Sequence, residues 1–202
     1  TRKESSAASD VYKRQVEGAQ LDGMICLASC DKTVPGQLMA AARLNIPTLV
    51  VVCGYQPSGE YNGRHVDIED VFIGSMHALT GKLPVDELVG MARNAIKGPG
   101  VCSGMGTANS MHLVCEALGM ALPGSSPIAA NSPQMFDFVR QAGQRIVAMI
   151  EEDLKPRDIL SPGAFANAVS VVLAAGGSVN CIKHMQAAVS YTHLTLPTTP
   201  YV

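Results

Sequence analysis

Residues 23–53, GMICLASCDKTVPGQLMAAARLNIPTLVVVC, decide the fold. The first seven, GMICLAS, form a short apolar run that stops at Cys30-Asp31-Lys32. The last eight, IPTLVVVC, form a β-branched run that stops at Gly54. Apolar runs of this length with polar or glycine boundaries read as buried strands. Between them, residues 35–44 are rich in Ala and Leu, with Pro35 at a first helical position. Strand, helix, strand implies a parallel pair joined by a right-handed crossover.

Working outward, helices dominate. A polar, glycine-containing loop spans 55–66. Residues 67–79 and 85–96 have helical spacing, the second stretch following Pro84 with Asp86 and Glu87 in its first turn. Residues 107–118 continue as a helix from a glycine-rich loop. Asn131-Ser132-Pro133 caps a long helix whose apolar positions 135, 136, 139, 142, 146, 147 and 150 recur at helical intervals. Two further helices are expected over 164–175 and 180–187, separated by Gly176-Gly177. There is no internal repeat and no low-complexity linker. The expected fold is a single α/β domain, a parallel sheet flanked by helices and helix-rich in its second half.

Composition narrows the function. The chain has 202 residues, 15 basic and 17 acidic, with 47% hydrophobic and 4% aromatic residues and no Trp, as in one ordinary soluble domain. Its longest apolar runs, 46–53 and 168–175, fall well short of the ~20 residues that a bilayer-crossing helix needs. A net charge of −2 without a basic tract argues against a nucleic-acid surface. Residues 1–15 carry charges with no apolar core after them, so no secretory signal is read. Six cysteines, at 26, 30, 53, 102, 115 and 181, show no C-x-x-C pair and no regular spacing. A disulfide framework and a zinc knuckle are therefore not indicated, and a reducing, cytoplasmic compartment is expected. Both ends differ from the middle. Residues 1–15 and 190–202 show no periodicity matching what they adjoin, and SAASDVYKRQ and VSYTHLTLP resemble translated sequencing-adapter sequence. The reading takes 16–189 as the domain, truncated at both sides, with non-native or disordered ends.

Cys30-Asp31-Lys32 is the most informative trio, because a thiol, a carboxylate and an amine follow one another where a strand ends and a helix begins. That edge of a parallel sheet is where ligands bind. A soft sulfur next to a hard oxygen suits two metals close together, iron at Cys30 and magnesium at Asp31. Spacing alone fits at least as well a buried small Cys30, with Asp31 and Lys32 capping the turn. Residues 98–106 (GPGVCSGMG) form a loop feeding a helix, with Cys102 at its centre. Such a loop can wrap an anion or the sulfurs of a cluster. It has neither the P-loop Lys nor G-x-G-x-x-G spacing after a strand, and a plain turn with an inert Cys102 is the third reading. His77 and His112 read as core or surface histidines. Met105, Met111 and Met120 read as packing residues, and Cys26, Cys115 and Cys181 as core. Asp67, Glu69 and Asp70 read as an acidic helix start, one of which could reach a cation.

Residues 30–47 (CDKTVPGQLMAAARLNIP), 98–126 (GPGVCSGMGTANSMHLVCEALGMALPGSS) and 165–187 (FANAVSVVLAAGGSVNCIKHMQA) resemble, in order, the dehydratase family containing dihydroxy-acid dehydratase, 6-phosphogluconate dehydratase and the sugar-acid dehydratases. The resemblance implies that Cys30 and Cys102 are two of three thiolate ligands of an iron-sulfur cluster, [2Fe-2S] with [4Fe-4S] as the alternative. It implies too that Asp31 and a carbamylated Lys32 bind Mg2+. A lysine ammonium cannot ligate a cation, whereas a carbamate is a hard oxygen ligand. The implied reaction dehydrates a small 2,3-dihydroxy acid to a 2-oxo acid, as in branched-chain amino-acid biosynthesis. A sugar acid is the alternative substrate, because residues 52–63 (VCGYQPSGEYNG) and Thr33-Val34 depart from the dihydroxy-acid pattern. A phosphate- or nucleotide-binding α/β module using 98–107 is the alternative of another class. The family's third cysteine and a further acidic ligand belong upstream of Cys30, where nothing matches. Its proposed base, a serine, belongs to a C-terminal domain beyond this chain. The expectation is a fragment, inactive alone, of a hydro-lyase that assembles as a homodimer or higher homo-oligomer.

Overall fold

Two short strands organise the chain. In the computed structural model, which describes residues 2–192, β1 (Met24–Ala28) pairs in parallel with β2 (Thr48–Val52), in the register Met24 with Thr48 through Ala28 with Val52. Helix α2 (Thr33–Leu44) crosses between them, as the sequence predicts, but starts two residues earlier than expected, so Pro35 lies in its first turn rather than at its first position. It ends where Asn45 takes a left-handed conformation with its N–H on the Ala41 carbonyl. Because side chains alternate across a strand, the pair has two distinct faces. Cys26, Ala28 and Val50 belong to the larger core with Leu38 of α2 and with Met111, Phe165 and Met185. Leu49 and Val51 join Ala142, Ile146 and Met149 in a smaller one.

The remaining elements cover these faces. Helix α5 (Thr107–Ala117), α8 (Pro162–Ala174) and α9 (Asn180–Thr192) pack with α2 on the larger core, and α6 (Pro133–Glu151) covers β2 from the other side. Ser132 caps α6 by accepting from the Met135 N–H at 3.1 Å, and Ser161 caps α8 by accepting from Ala164 at 3.2 Å. Helix α3 (Ile68–Leu79) starts in a reciprocal capping box between Asp67 and Asp70 and runs into α4 (Val85–Asn94). A single turn, α7 (Pro156–Ile159), links α6 to α8.

Three features depart from the sequence reading. The loop expected over 55–66 contains an antiparallel hairpin, β3 (Gly59–Tyr61) and β4 (Arg64–Val66), closed by Asn62-Gly63, both at positive φ. Asn-Gly is a strong short hairpin signal, but three-residue strands offer too little alternation to be read. Residues 1–15 show no periodicity, yet α1 (Arg2–Ala19) is a continuous helix that packs on α2, with Val16 buried. Lastly, both strands were expected to be buried. Strand β2 is, but β1 exposes Ile25 and leaves Leu27 69% accessible. Among the described residues β1 has one strand neighbour, β2, and α6 lies over Leu49 and Val51 rather than Leu27.

The cores set the expected stability effects. Phe165 is 1% exposed inside the larger core, so Phe165→Ala should cost about 3–5 kcal/mol in urea unfolding. Leu79→Ala, at an 82% exposed position, should stay within about 0.5 kcal/mol. Equal shifts would contradict the core assignment.

Candidate metal centre

The parallel ladder ends with the Cys53 N–H donating to the Ala28 carbonyl at 2.9 Å. Past that rung β1 runs into Ser29, Cys30, Asp31 and Lys32, and β2 into Cys53, Gly54 and Tyr55. A third segment joins at once. The Val101 N–H donates to the Gly54 carbonyl at 2.9 Å, the Gln56 N–H donates to the Val101 carbonyl at 2.7 Å, and Cys102 follows directly. On its other side Tyr55 bridges to Ala129. Gly54 makes this crossing possible: its φ is +77°, and a Cβ there would meet the Ile128 and Ala130 backbone at 2.7 Å. Topology therefore delivers Cys30, Cys53 and Cys102 to one edge, the carboxyl edge of the sheet.

Burial separates the six thiols. Cys30 and Cys102 are exposed, so the buried, inert alternative describes neither. Cys26, Cys115 and Cys181 are core, as read from sequence, and burial pushes the Cys26 thiol up to about 12 and that of Cys181 up to about 11. The Cys115 thiol is raised by the same cause. A thiol held protonated is a poor ligand. Cys53 is half-buried, its sulfur 3.5 Å from the Gly54 carbonyl oxygen, and burial raises its thiol, with a further push from Cys30. Among the described residues, the set of three His, Cys, Asp or Glu side chains whose ligand atoms come within 4.8 Å is His65, Asp67 and Asp70, not the thiols. There Asp67 and Asp70 serve the α3 cap, and the His65 Nε2 pairs with the Ser58 hydroxyl at 2.7 Å.

Beside Cys30, Lys32 forms the N-cap of α2 and its Nζ donates to the Asp31 Oδ2 at 2.6 Å. That hydrogen bond holds the Asp31 carboxyl below the usual carboxylate range, against partial burial. The pair is accessible and anionic on its oxygen side, the chemistry a hard cation takes. His112, on α5, fixes the strand exit. It is fully buried, and the Ser29 carbonyl accepts from its Nε2 at 2.8 Å, which places the proton on Nε2. Sequence reasoning left His112 as a core or surface histidine, since its helical position said nothing of a carbonyl 83 residues away.

The loop at 98–106 is clamped from within. Asn109, buried on α5, donates through Nδ2 to the carbonyls of Cys102 and Gly104, each at 2.8 Å. The Glu69 carboxylate lies where a Gly104 side chain would go. A carboxylate there, with loop carbonyls drawn onto Asn109, disfavours phosphate in this loop. The α8–α9 turn closes the arrangement: the Ser178 N–H donates to the Ser110 hydroxyl at 2.9 Å, and Asn180 donates to the Thr107 hydroxyl at 3.2 Å. All three motif stretches thus meet around one edge. Met105 is exposed, unlike the buried Met111 and Met120.

The buried His112 makes a pH prediction. Burial lowers its pKa from 6.5, so the unfolded chain binds the proton more readily. Its contribution to stability is complete above pH 6.5 and declines as pH falls towards the lowered folded value. His112→Gln keeps a donor for Ser29 and cannot titrate, so its urea midpoint should fall less between pH 7 and about pH 5 than the parent's. Parallel acid limbs would contradict this.

Comparison with known sequences agrees with the motif reading. Residues 6–200 match the family profile described as dihydroxy-acid/6-phosphogluconate dehydratase N-terminal. The chain is 45% identical over 179 residues to a dihydroxy-acid dehydratase of Methanothermobacter thermautotrophicus, covering 89% of this chain and 33% of that protein. It is 46% identical over 167 residues to one of Sulfurisphaera tokodaii (82% and 30%), and 43% identical over 181 residues to one of Caldicellulosiruptor saccharolyticus (89% and 32%). The chain spans about a third of the length of these curated relatives. Motif order, the shared sheet edge and a match over almost the whole chain converge: the chain belongs to the dihydroxy-acid/6-phosphogluconate dehydratase family, in the region of its N-terminal domain.

Proposed function

We propose that this chain is the metal-holding part of a hydro-lyase that removes water from a 2,3-dihydroxy carboxylic acid to give a 2-oxo acid. The observation that carries the reading is the pair of exposed thiols, Cys30 and Cys102, on one sheet edge beside Asp31 and Lys32. The donor set fits two kinds of metal. Cys30 and Cys102 are soft ligands for an iron-sulfur cluster, [2Fe-2S] in this reading, and Asp31 with Lys32 offers oxygen to Mg2+ once Lys32 is carbamylated. Bound there, the metals supply Lewis acidity towards the departing 3-hydroxyl and a hard cation for the substrate carboxylate and 2-hydroxyl.

The chain's own residues do the positioning. The Ser29 carbonyl is tied to His112 and the Cys102 carbonyl to Asn109, so the two loops that carry the thiols are each braced from α5. Before carbamylation the Lys32 ammonium donates to Asp31 and holds its carboxyl ionised. In the net reaction the C2 proton and the C3 hydroxyl leave as water, and the resulting enol tautomerises to the ketone. The base that takes the C2 proton lies outside this chain in this reading.

Dihydroxy-acid relatives that cover 82–89% of the chain favour the branched-chain type of substrate. The loop over 52–63 and Thr33-Val34 support a sugar acid as the second reading. Assembly as a homo-oligomer in the reducing cytoplasm belongs to the proposal. Phe72, Ile73, Met76 and Leu79, all exposed on α3, support the assembly, and six free cysteines support the compartment. No helix among the described residues is long and apolar enough to cross a membrane.

The test is a chimera in which residues 16–189 replace the matching region of the Methanothermobacter thermautotrophicus protein, purified without oxygen. It should contain iron and acid-labile sulfide and show charge-transfer absorption, and Cys102→Ser should lower all three. Unchanged cluster content in the Cys102→Ser chimera would remove Cys102 from the ligand set.

A further inference from the structure

The buried stripe of α9 runs Cys181, His184, Met185, Ala188 and Val189, apolar but for one residue. That stripe packs on α2, the helix whose N-cap position is Lys32. His184 is 9% exposed, and its Nε2 has no hydrogen-bond partner. Its surroundings are not apolar. The charges of Lys32 and Asp31 both act on the imidazole, and the Asp31 carboxyl feels His184 in return. A buried imidazole nitrogen left unpaired is costly, and such atoms in folded proteins are satisfied by a partner or mark one that is yet to bind. Here the open nitrogen is buried on the helix packed against α2, within electrostatic reach of the one carboxylate–lysine pair that the function reading gives to a hard cation.

We infer that His184 is a positioning residue of the cation site, its Nε2 taking up the hydrogen bond of a metal-bound water or of the oxygen group that Asp31 and Lys32 hold. A neutral imidazole can donate or accept, so it can orient either kind of oxygen group around the ion without adding charge. Outer partners of this kind set ligand orientation, and their loss costs about 10–100-fold in metal affinity. The inference rests on the reading of Asp31 and Lys32 as a cation site, and its test separates the two.

The experiment titrates Mn2+, as a spectroscopic stand-in for Mg2+, into the full 202-residue chain in bicarbonate buffer, which supplies the CO2 that carbamylation of Lys32 needs, and follows free Mn2+ by electron paramagnetic resonance. Circular dichroism melts run alongside. Parent, Asp31→Asn, His184→Phe and His184→Gln are compared, because the Gln amide can place a hydrogen-bonding group near the Nε2 position and Phe cannot. The expected result is weaker Mn2+ binding by about tenfold or more in His184→Phe and near-parent binding in His184→Gln, both folded. Loss with Asp31→Asn but parent-like binding in His184→Phe would overturn the role of His184 and leave the cation site standing. Equal loss in His184→Phe and His184→Gln would likewise overturn it, pointing to packing rather than a hydrogen bond. Unchanged binding in all three variants would overturn both readings.

Discussion

The parallel pairing of Met24–Ala28 with Thr48–Val52 is the constraint on which the candidate centre depends. Parallel strands leave a sheet at the same edge, and the last rung, Cys53 to Ala28, fixes where they leave. Residues 30–32 and 53–55 then start from neighbouring points, and the Val101–Gly54 bond brings Cys102 alongside. Nothing about this depends on helix propensity or on surface charge. A one-residue slip of β1 against β2 would turn Cys26 and Ala28 out of the larger core and Ile25 and Leu27 into it, a change the packing around Leu38 and Phe165 resists.

Burial divides labour among otherwise identical side chains. The same thiol is a small core hydrophobe at Cys26, Cys115 and Cys181 and an accessible soft ligand at Cys30 and Cys102. The polar residues divide likewise. His112 and Asn109 spend their donors on backbone carbonyls next to the two exposed thiols, while His184 keeps a buried nitrogen without a partner, within electrostatic reach of Asp31 and Lys32. All three come from helices that pack behind the edge, so the core and the centre share one set of braces.

Much of this was legible in the sequence, because the informative signals were local. Two apolar runs around an Ala-rich helix specify a crossover unit, Ser132-Pro133 specifies the start of α6, and Gly176-Gly177 separates α8 from α9. Cys30, Asp31, Lys32 and Cys102 stand in contiguous motifs, so their candidacy needed no coordinates. What escaped were relations between distant residues. His112 and Ser29 are 83 residues apart, and His184 becomes distinctive only once α9 lies on α2 with its Nε2 unpaired. The exposure of Leu27 escaped for a similar reason. A five-residue apolar strand reads as buried, and whether a helix covers each position is decided by packing.

The central proposal is that Cys30 and Cys102, far apart in the chain, come together at one sheet edge to hold a common group. A short bifunctional thiol-alkylating reagent applied to the folded, reduced chain, followed by peptide mass spectrometry, tests it directly. The account predicts a dominant bridge between the peptides carrying Cys30 and Cys102, with Cys26, Cys115 and Cys181 unmodified until the chain is unfolded. Cys30 and Cys102 each alkylated singly, with no bridged peptide between them, would contradict it.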